Sequence, residues 1–385
     1  MQALLWGAAR RAGKCAQWEG ERMHFIKRAA VCALAALTLA ASAAAETTLH
    51  ITFAGDCTLG SEESKKNMAN SFVSTIEREG YDWPFANVQQ LFQNDDLTVV
   101  NLEGVLSDSN AQENKKKTYR FRGPTDFVNI LTRSGIEAVN LANNHTMDFG
   151  KQGYSATQKT LTEAGVGYFG GRSYYIFEKN GIKIAFFGLG SSAFNGNKAW
   201  AKEEIARLKT EEGVNAVVFT FHAGQEYGKH HNANQEKYAQ YVIDAGADLV
   251  IMHHPHVVQG IGSYQNRSIC YSIGNFAFGG NSSVRAMETV VIDAALTFDD
   301  DGSYLGQQLT LYPANISGTD PQNNFQPVLV SGDKAQEVMR LIQLDTDYEL
   351  VPFTDEAGCA QQPYLPAREG DPAPAVMEPF NVQDE

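Results

Sequence analysis

Cysteine is too sparse in this chain to build it. Of the five present, Cys15 and Cys32 lie ahead of residue 46, leaving Cys57, Cys270 and Cys359, an odd number with no tight spacing. That excludes a disulfide framework. Basic charge is also short. Beyond residue 45 there are 25 Lys and Arg against 43 Asp and Glu, a net of −18, and so acidic a surface disfavours nucleic acid and anionic lipid as partners. The apolar stretch 29–41 is only 13 residues long, below the roughly 20 that a membrane-spanning helix needs. No internal repeat is visible.

What is present is enough to fold. The 43% hydrophobic content and about 310 residues of foldable chain suit one large domain or two small ones. Lys27 and Arg28 precede the apolar stretch, and Ala43, Ala44 and Ala45 follow it. This reads as a cleavable secretory peptide, cut after Ala45 or Ala43, with Met23 the expected initiator; left uncleaved, it would be a membrane anchor. Three regions are expected: an N-terminal extension and signal over 1–45, a folded domain over 46–358, and a disordered acidic tail over 359–385. The tail holds five of the twelve prolines. The mature protein is expected outside the cytoplasm.

Strand-like runs at 49–54, 97–102, 138–141, 182–189, 216–221 and 249–253 alternate with helical patterns at 85–92, 125–133, 151–163, 198–210 and 235–245. Such alternation predicts βαβ units and a mostly parallel sheet with helices outside. After residue 256 the runs 257–263, 268–272, 289–298 and 307–313 follow one another without a helix, and a helix is expected at 334–343. A second, largely antiparallel sheet packed on the first is the economical solution. The predicted fold class is α/β, a four-layer α/β/β/α sandwich of two mixed sheets flanked by helices.

Polar residues gather where the strands end, and ligands of open α/β sheets bind beyond the carboxyl ends of strands. Asp56 closes the first run and Glu103 the second. Each alone reads equally well as a turn or cap residue. Asn143-Asn144-His145 follows the third run, with Asp148 three residues on. An Asn oxygen can ligate a metal, His145 can move a proton, and Asp148 can orient it; a loop of Asn turns is the plainer alternative. His222 ends the fifth run, and a lone buried His is weak testimony. His253-His254-Pro255-His256 is stronger, since Pro255 stiffens the spacing of His254 and His256. His230 and His231 lie in a polar stretch and read as solvated. Asp56, Glu103, Asn144, His222, His254 and His256 therefore form a candidate ligand set for one or two divalent ions. Carboxylates, an amide and imidazoles suit Mn, Fe or Zn better than Ca. Two ions about 3.5 to 4 Å apart would clamp an anionic oxygen and lower the pKa of a bound water, with Glu103 the candidate bridge.

Gly55-Asp56, Asn101-Leu102-Glu103, Asn143-Asn144-His145, His222 with Glu226-Tyr227, His254-Pro255-His256 and Gly274-Asn275-Phe276, in that order, resemble the CapA family of poly-γ-glutamate capsule synthesis proteins, relatives of calcineurin-like metallophosphoesterases. The resemblance covers about residues 48–313. It implies a metallophosphoesterase-like fold, an extracytoplasmic place and a role in making or exporting an anionic γ-linked glutamate polymer. Under it Asp56 and His256 serve a first ion, Asn144, His222 and His254 a second, Glu103 bridges, and His145 is the proton donor. It also implies poly-γ-glutamate or a phosphoester as substrate and membrane-bound capsule proteins as partners. Two departures stand out. The usual Asp-x-His opening is Asp56-Cys57-Thr58, and the usual bridging Asp is the longer Glu103. Gly274-Asn275 is first a turn, although Asn275 can also hydrogen-bond a ligand-bearing loop. Two other readings stay open: a non-catalytic polymer-binding subunit, and a general extracytoplasmic metal-dependent phosphatase.

Overall fold

The computed structural model describes residues 46–371 and 373; the expected signal segment, and the tail beyond these, lie outside the described residues. The chain begins with strand β1 (Thr47–Cys57), helix α1 (Phe72–Glu79), α2 (Gln89–Asn94) and β2 (Leu97–Leu102). It continues through α3 (Val128–Ser134), β3 (Ala138–Asn140), α4 (Gly150–Glu163) and β4 (Gly167–Phe169). Strands β1 to β4 pair in parallel, in that order.

The chain then leaves this sheet. It forms β5 (Tyr175–Lys179), β6 (Ile182–Gly190), α5 (Ser191–Thr210), β7 (Ala216–His222), α6 (Ala233–Asp244) and β8 (Leu249–His253). The hairpin β9 (Ile261–Tyr264) and β10 (Arg267–Cys270) completes a six-stranded sheet of order β9-β10-β8-β7-β6-β5. Finally β11 (Glu288–Phe298) and β12 (Tyr304–Asn315) return to the first sheet, where β11 runs antiparallel to β1. Helix α7 (Gly332–Gln343) follows.

The expected layering holds, but the expected membership of the sheets does not. The parallel strands before residue 256 are divided between both sheets, and the later strands are divided as well: β9 and β10 extend the second sheet while β11 and β12 extend the first. Apolar periodicity says which residues are buried, and β11 is buried along ten of its eleven positions whichever neighbour it takes. The tail expected to be disordered from residue 359 instead begins with strands Ala360–Gln361 and Leu365–Pro366, both paired with β12. The helix expected at 85–92 starts only at Gln89, and α1, capped by Ser71 accepting from Ser74 N–H, was not foreseen.

Three apolar layers hold the sandwich together. Leu49, Ile51, Phe53 and Val99 of the first sheet meet Ile184, Phe186, Val218 and Ile251 of the second between the sheets. Outside the first sheet, Val100 and Leu102 pack with Ile76, Leu91 and Leu131. Outside the second, Phe187, Phe219 and Met252 pack with Phe194, Ile205 and Val242. Helix α6 is fixed in place by a capping box between Asn232 and Gln235. Among the described residues no helix is long and apolar enough to cross a membrane.

Candidate metal centre

The strand ends converge as the sequence predicts. Asp56 sits in β1 just past a register shift between Ala54 and Asp56. Gly55 makes that shift feasible, because a Cβ there would lie 2.1 Å from Gly274 O. Asp56 then pairs its backbone with the Gly274–Phe276 segment. Glu103 follows β2, the Asn143–His145 loop follows β3, His222 ends β7, and His254 and His256 follow β8. His254 and His256 take positive φ of 103° and 61°, a left-handed backbone that is costly for residues other than glycine.

At the centre lies Glu103, fully buried, with neither carboxylate oxygen hydrogen-bonded. Its Oε1 is 3.4 Å from His222 Nε2 and its Oε2 is 4.0 Å from His256 Nδ1. Burial, then the neighbouring Asp56 charge, pushes its carboxyl well above the ordinary range. Asp56 is the opposite case. Burial works to raise it, but the imidazoles of His253 and His256 outweigh burial and hold it well below its usual value. His256 Nδ1 lies 3.1 Å from Asp56 Oδ2 and 2.9 Å from Asn275 Oδ1. Both partners accept, so this nitrogen carries the proton. Across the site His222 Nε2 and His254 Nδ1 face each other at 3.0 Å. Burial, then a neighbouring imidazole, pushes both rings down, which keeps them in the neutral, ligating form.

These residues fit a divalent cation. Donor atoms of Glu103, His222 and His254 lie within 4.8 Å of one another, and so do those of Asp56, Glu103 and His256. Glu103 is common to both groups, which suits the bridging position. An orphaned buried carboxylate beside a second carboxylate lacks a positive charge, and a metal ion would supply one. Asn144 is exposed and lines a cavity of about 790 Å³ together with His222 and His254. His145 stands apart from the ligand groups. Its Nδ1 is 2.7 Å from Asp148 Oδ2 and its Nε2 is 3.9 Å from Glu103 Oε1.

A sequence-family model described as "Bacterial capsule synthesis protein PGA_cap" matches residues 50–280, which include every one of these side chains. The chain belongs to this family. It is 29% identical over 304 residues to "Capsule biosynthesis protein CapA" of Bacillus anthracis, covering 72% of this chain and 71% of the relative. It is 26% identical over 321 residues to "PGA biosynthesis protein CapA" of Bacillus subtilis strain 168, covering 78% and 79%. Among solved structures, a 5'-nucleotidase from Candida albicans SC5314 is similar with a TM-score of 0.37 at 12% identity, over 77% of this chain and 57% of that one.

In this family member the structure brings to the site four residues to which the sequence alone assigns no role, three of them inside its motifs. Asn101 is buried and donates to Asp56 Oδ1 at 2.8 Å, while its own Oδ1 accepts from Asn140 at 2.9 Å and Asn143 at 3.2 Å. Its place in the Asn-Leu-Glu motif was the available signal. His253 Nδ1 approaches Asp56 Oδ1 at 3.3 Å, and Glu226 forms a third possible ligand group with His254 and His256. Lys117 is ion-paired with Asp148 and donates to Asn144 O at 2.8 Å; a Lys-rich loop gave no hint of this. Where the resemblance leads one to expect a histidine, Thr58 is fully buried. Its hydroxyl donates to Gly60 O and accepts from Gly279 N–H, both at 2.8 Å, so it locks the backbone instead.

Proposed function

We propose that this chain is an extracytoplasmic protein of poly-γ-glutamate capsule synthesis or export, and that its metal-ligand cluster acts at a γ-glutamyl or phosphoryl group. The relatives named for capsule and PGA biosynthesis support the pathway. The secretory pattern at 27–45 supports the location. The observation that carries the chemical half is Glu103, buried, unpartnered and shared by two ligand groups.

Asp56, Glu103 and His256 would hold one ion, and Glu103, His222, His254 and Asn144 another, with Mn, Fe or Zn the metals suited to these donors. When bound, a divalent ion offsets developing negative charge at the reacting group and makes water more acidic. The chain's own residues do the rest. Asn101 fixes the Asp56 carboxylate through its 2.8 Å hydrogen bond. Asp148 accepts from His145 Nδ1, which leaves Nε2 directed at the cluster as the atom that gives or takes a proton. Lys117 neutralises the far oxygen of Asp148. Membrane-bound proteins of the same pathway are the expected partners.

The test is turnover of γ-glutamyl chains and phosphoesters by purified wild type and by His254→Ala. Loss of turnover in the variant supports the assignment; equal turnover in both removes this cluster from the function.

A further inference from the structure

The cavity lined by His222 and His254 is lined as well by Asn144, Tyr154, Arg172 and Ser191. Its volume of about 790 Å³ is in the range of pockets that hold whole ligands rather than a single small group. Arg172 sits in the turn Gly170–Ser173, closed by a hydrogen bond from Gly170 N–H to Ser173 O at 2.9 Å. That turn presses against the ligand-bearing loop. Gly170 has φ of 129°, and a Cβ there would fall 2.5 Å from Ala142 N, while Leu141 N–H donates to Phe169 O at 2.8 Å. The Arg172 side chain is exposed yet held. Its guanidinium lies 3.9 Å from the centroid of the Trp200 ring and donates to Asn197 Oδ1 at 3.4 Å, where α5 kinks.

On so acidic a chain most cations near carboxylates are paired, as Arg120, Arg122, Arg207 and Arg267 are. Among the described residues no carboxylate lies within ion-pair distance of Arg172, whose polar contact is the neutral Asn197. A guanidinium stacked on an indole presents its remaining N–H groups edge-on, in the fork that fits a carboxylate.

We propose that Arg172 is a substrate-recognition residue, binding a free α-carboxylate of the γ-linked chain within the cavity that His222 and His254 also line. The inference rests on the polymer reading above and adds the subsite. It makes the cavity selective for a polyanionic chain extending beyond the reacting unit, because Arg172 rewards charge on a neighbouring unit.

The experiment measures binding of two probes to the purified full chain by calorimetry: a γ-linked glutamate pentamer, and the same pentamer with its α-carboxylates converted to carboxamides. Wild type is expected to prefer the carboxylate form. Arg172→Gln should weaken that form about tenfold, the loss of one charge-assisted contact, and leave the carboxamide form unchanged, while Arg172→Lys should recover part of the loss. Equal affinity of wild type and Arg172→Gln for the carboxylate pentamer overturns the subsite and leaves the polymer reading standing. Failure of wild type to bind either pentamer overturns the polymer reading, and the subsite with it. A loss of equal size for both pentamers also overturns the subsite, since it would mean that Arg172 acts on cavity shape.

Discussion

Asp148 holds His145 at 2.7 Å between Oδ2 and Nδ1, and the same carboxylate also accepts from Phe121 N–H at 2.9 Å and pairs with Lys117. One buried side chain thus fixes the imidazole, the strand segment beside it and a cation from a distant loop. His145→Ala is expected to lower turnover by roughly a hundredfold or more, the usual worth of a positioned proton-transfer group, with metal content unchanged. Elemental analysis beside the rate measurement checks this; loss of metal in the variant would make His145 part of the ligand set instead.

Asn101 predicts a different signature. It is fully buried, and Asn101→Leu would leave Asn140 Nδ2 and Asp56 Oδ1 without their partner. Chemical denaturation should show a loss of about 2 to 4 kcal/mol, the cost of uncompensated buried polar groups, together with weaker metal binding. A variant as stable as wild type would show that the amide chain Asp56–Asn101–Asn140 is dispensable.

Thr58→His would insert the imidazole that the family resemblance leads one to expect. Because Thr58 is fully buried and its hydroxyl ties Gly60 to Gly279, the substitution is expected to cost on the order of 2 to 4 kcal/mol through overpacking and a lost backbone anchor. Thermal unfolding reads the effect. An unchanged melting temperature with an added equivalent of metal would show that this position still accepts a ligand.

Far from the site, Asp95 links stability to pH. Burial, with Glu137 and Asp293 adding like charge, pushes its carboxyl up to about 7 from an ordinary 3.8. Between those values the folded chain keeps a proton that the unfolded chain has released. This contribution therefore makes stability fall as pH rises from about 4 to about 7, and level off above. Asp95→Asn keeps an acceptor for Thr98 Oγ1, now 2.7 Å away, and removes the titration. It should be more stable than wild type at pH 8 by on the order of 2 kcal/mol and indistinguishable at pH 4. The same difference at both pH values would contradict the assignment.

The sequence discloses strand ends better than strand neighbours. Asp56, Glu103, His222, His254 and His256 were legible because each closes an apolar run, and the carboxyl edge of a sheet gathers such residues whatever the strand order. Nothing in those runs tells β6, β7 and β8 to form a second sheet, since pairing partners are chosen by packing across the whole core. Lys117 was illegible for a related reason: its partner Asp148 is 31 residues away, and three consecutive lysines look like a solvated loop. Thr58 carried the reverse lesson, because only its two backbone partners show why a hydroxyl occupies that position.

Glu103 is a buried carboxyl without a hydrogen-bond partner, and metal uptake reads out whether it awaits a positive charge. Purified wild type and Glu103→Gln would be equilibrated with Mn, Fe or Zn, and their metal content and melting temperatures measured. Wild type is expected to retain one or two equivalents and to melt higher with metal than without. Glu103→Gln is expected to bind far less, and, freed of an unpaired buried carboxyl, to melt at or above the temperature of metal-free wild type. Wild type that takes up no metal, or a Glu103→Gln variant that binds it equally, would show that Glu103 holds no ion.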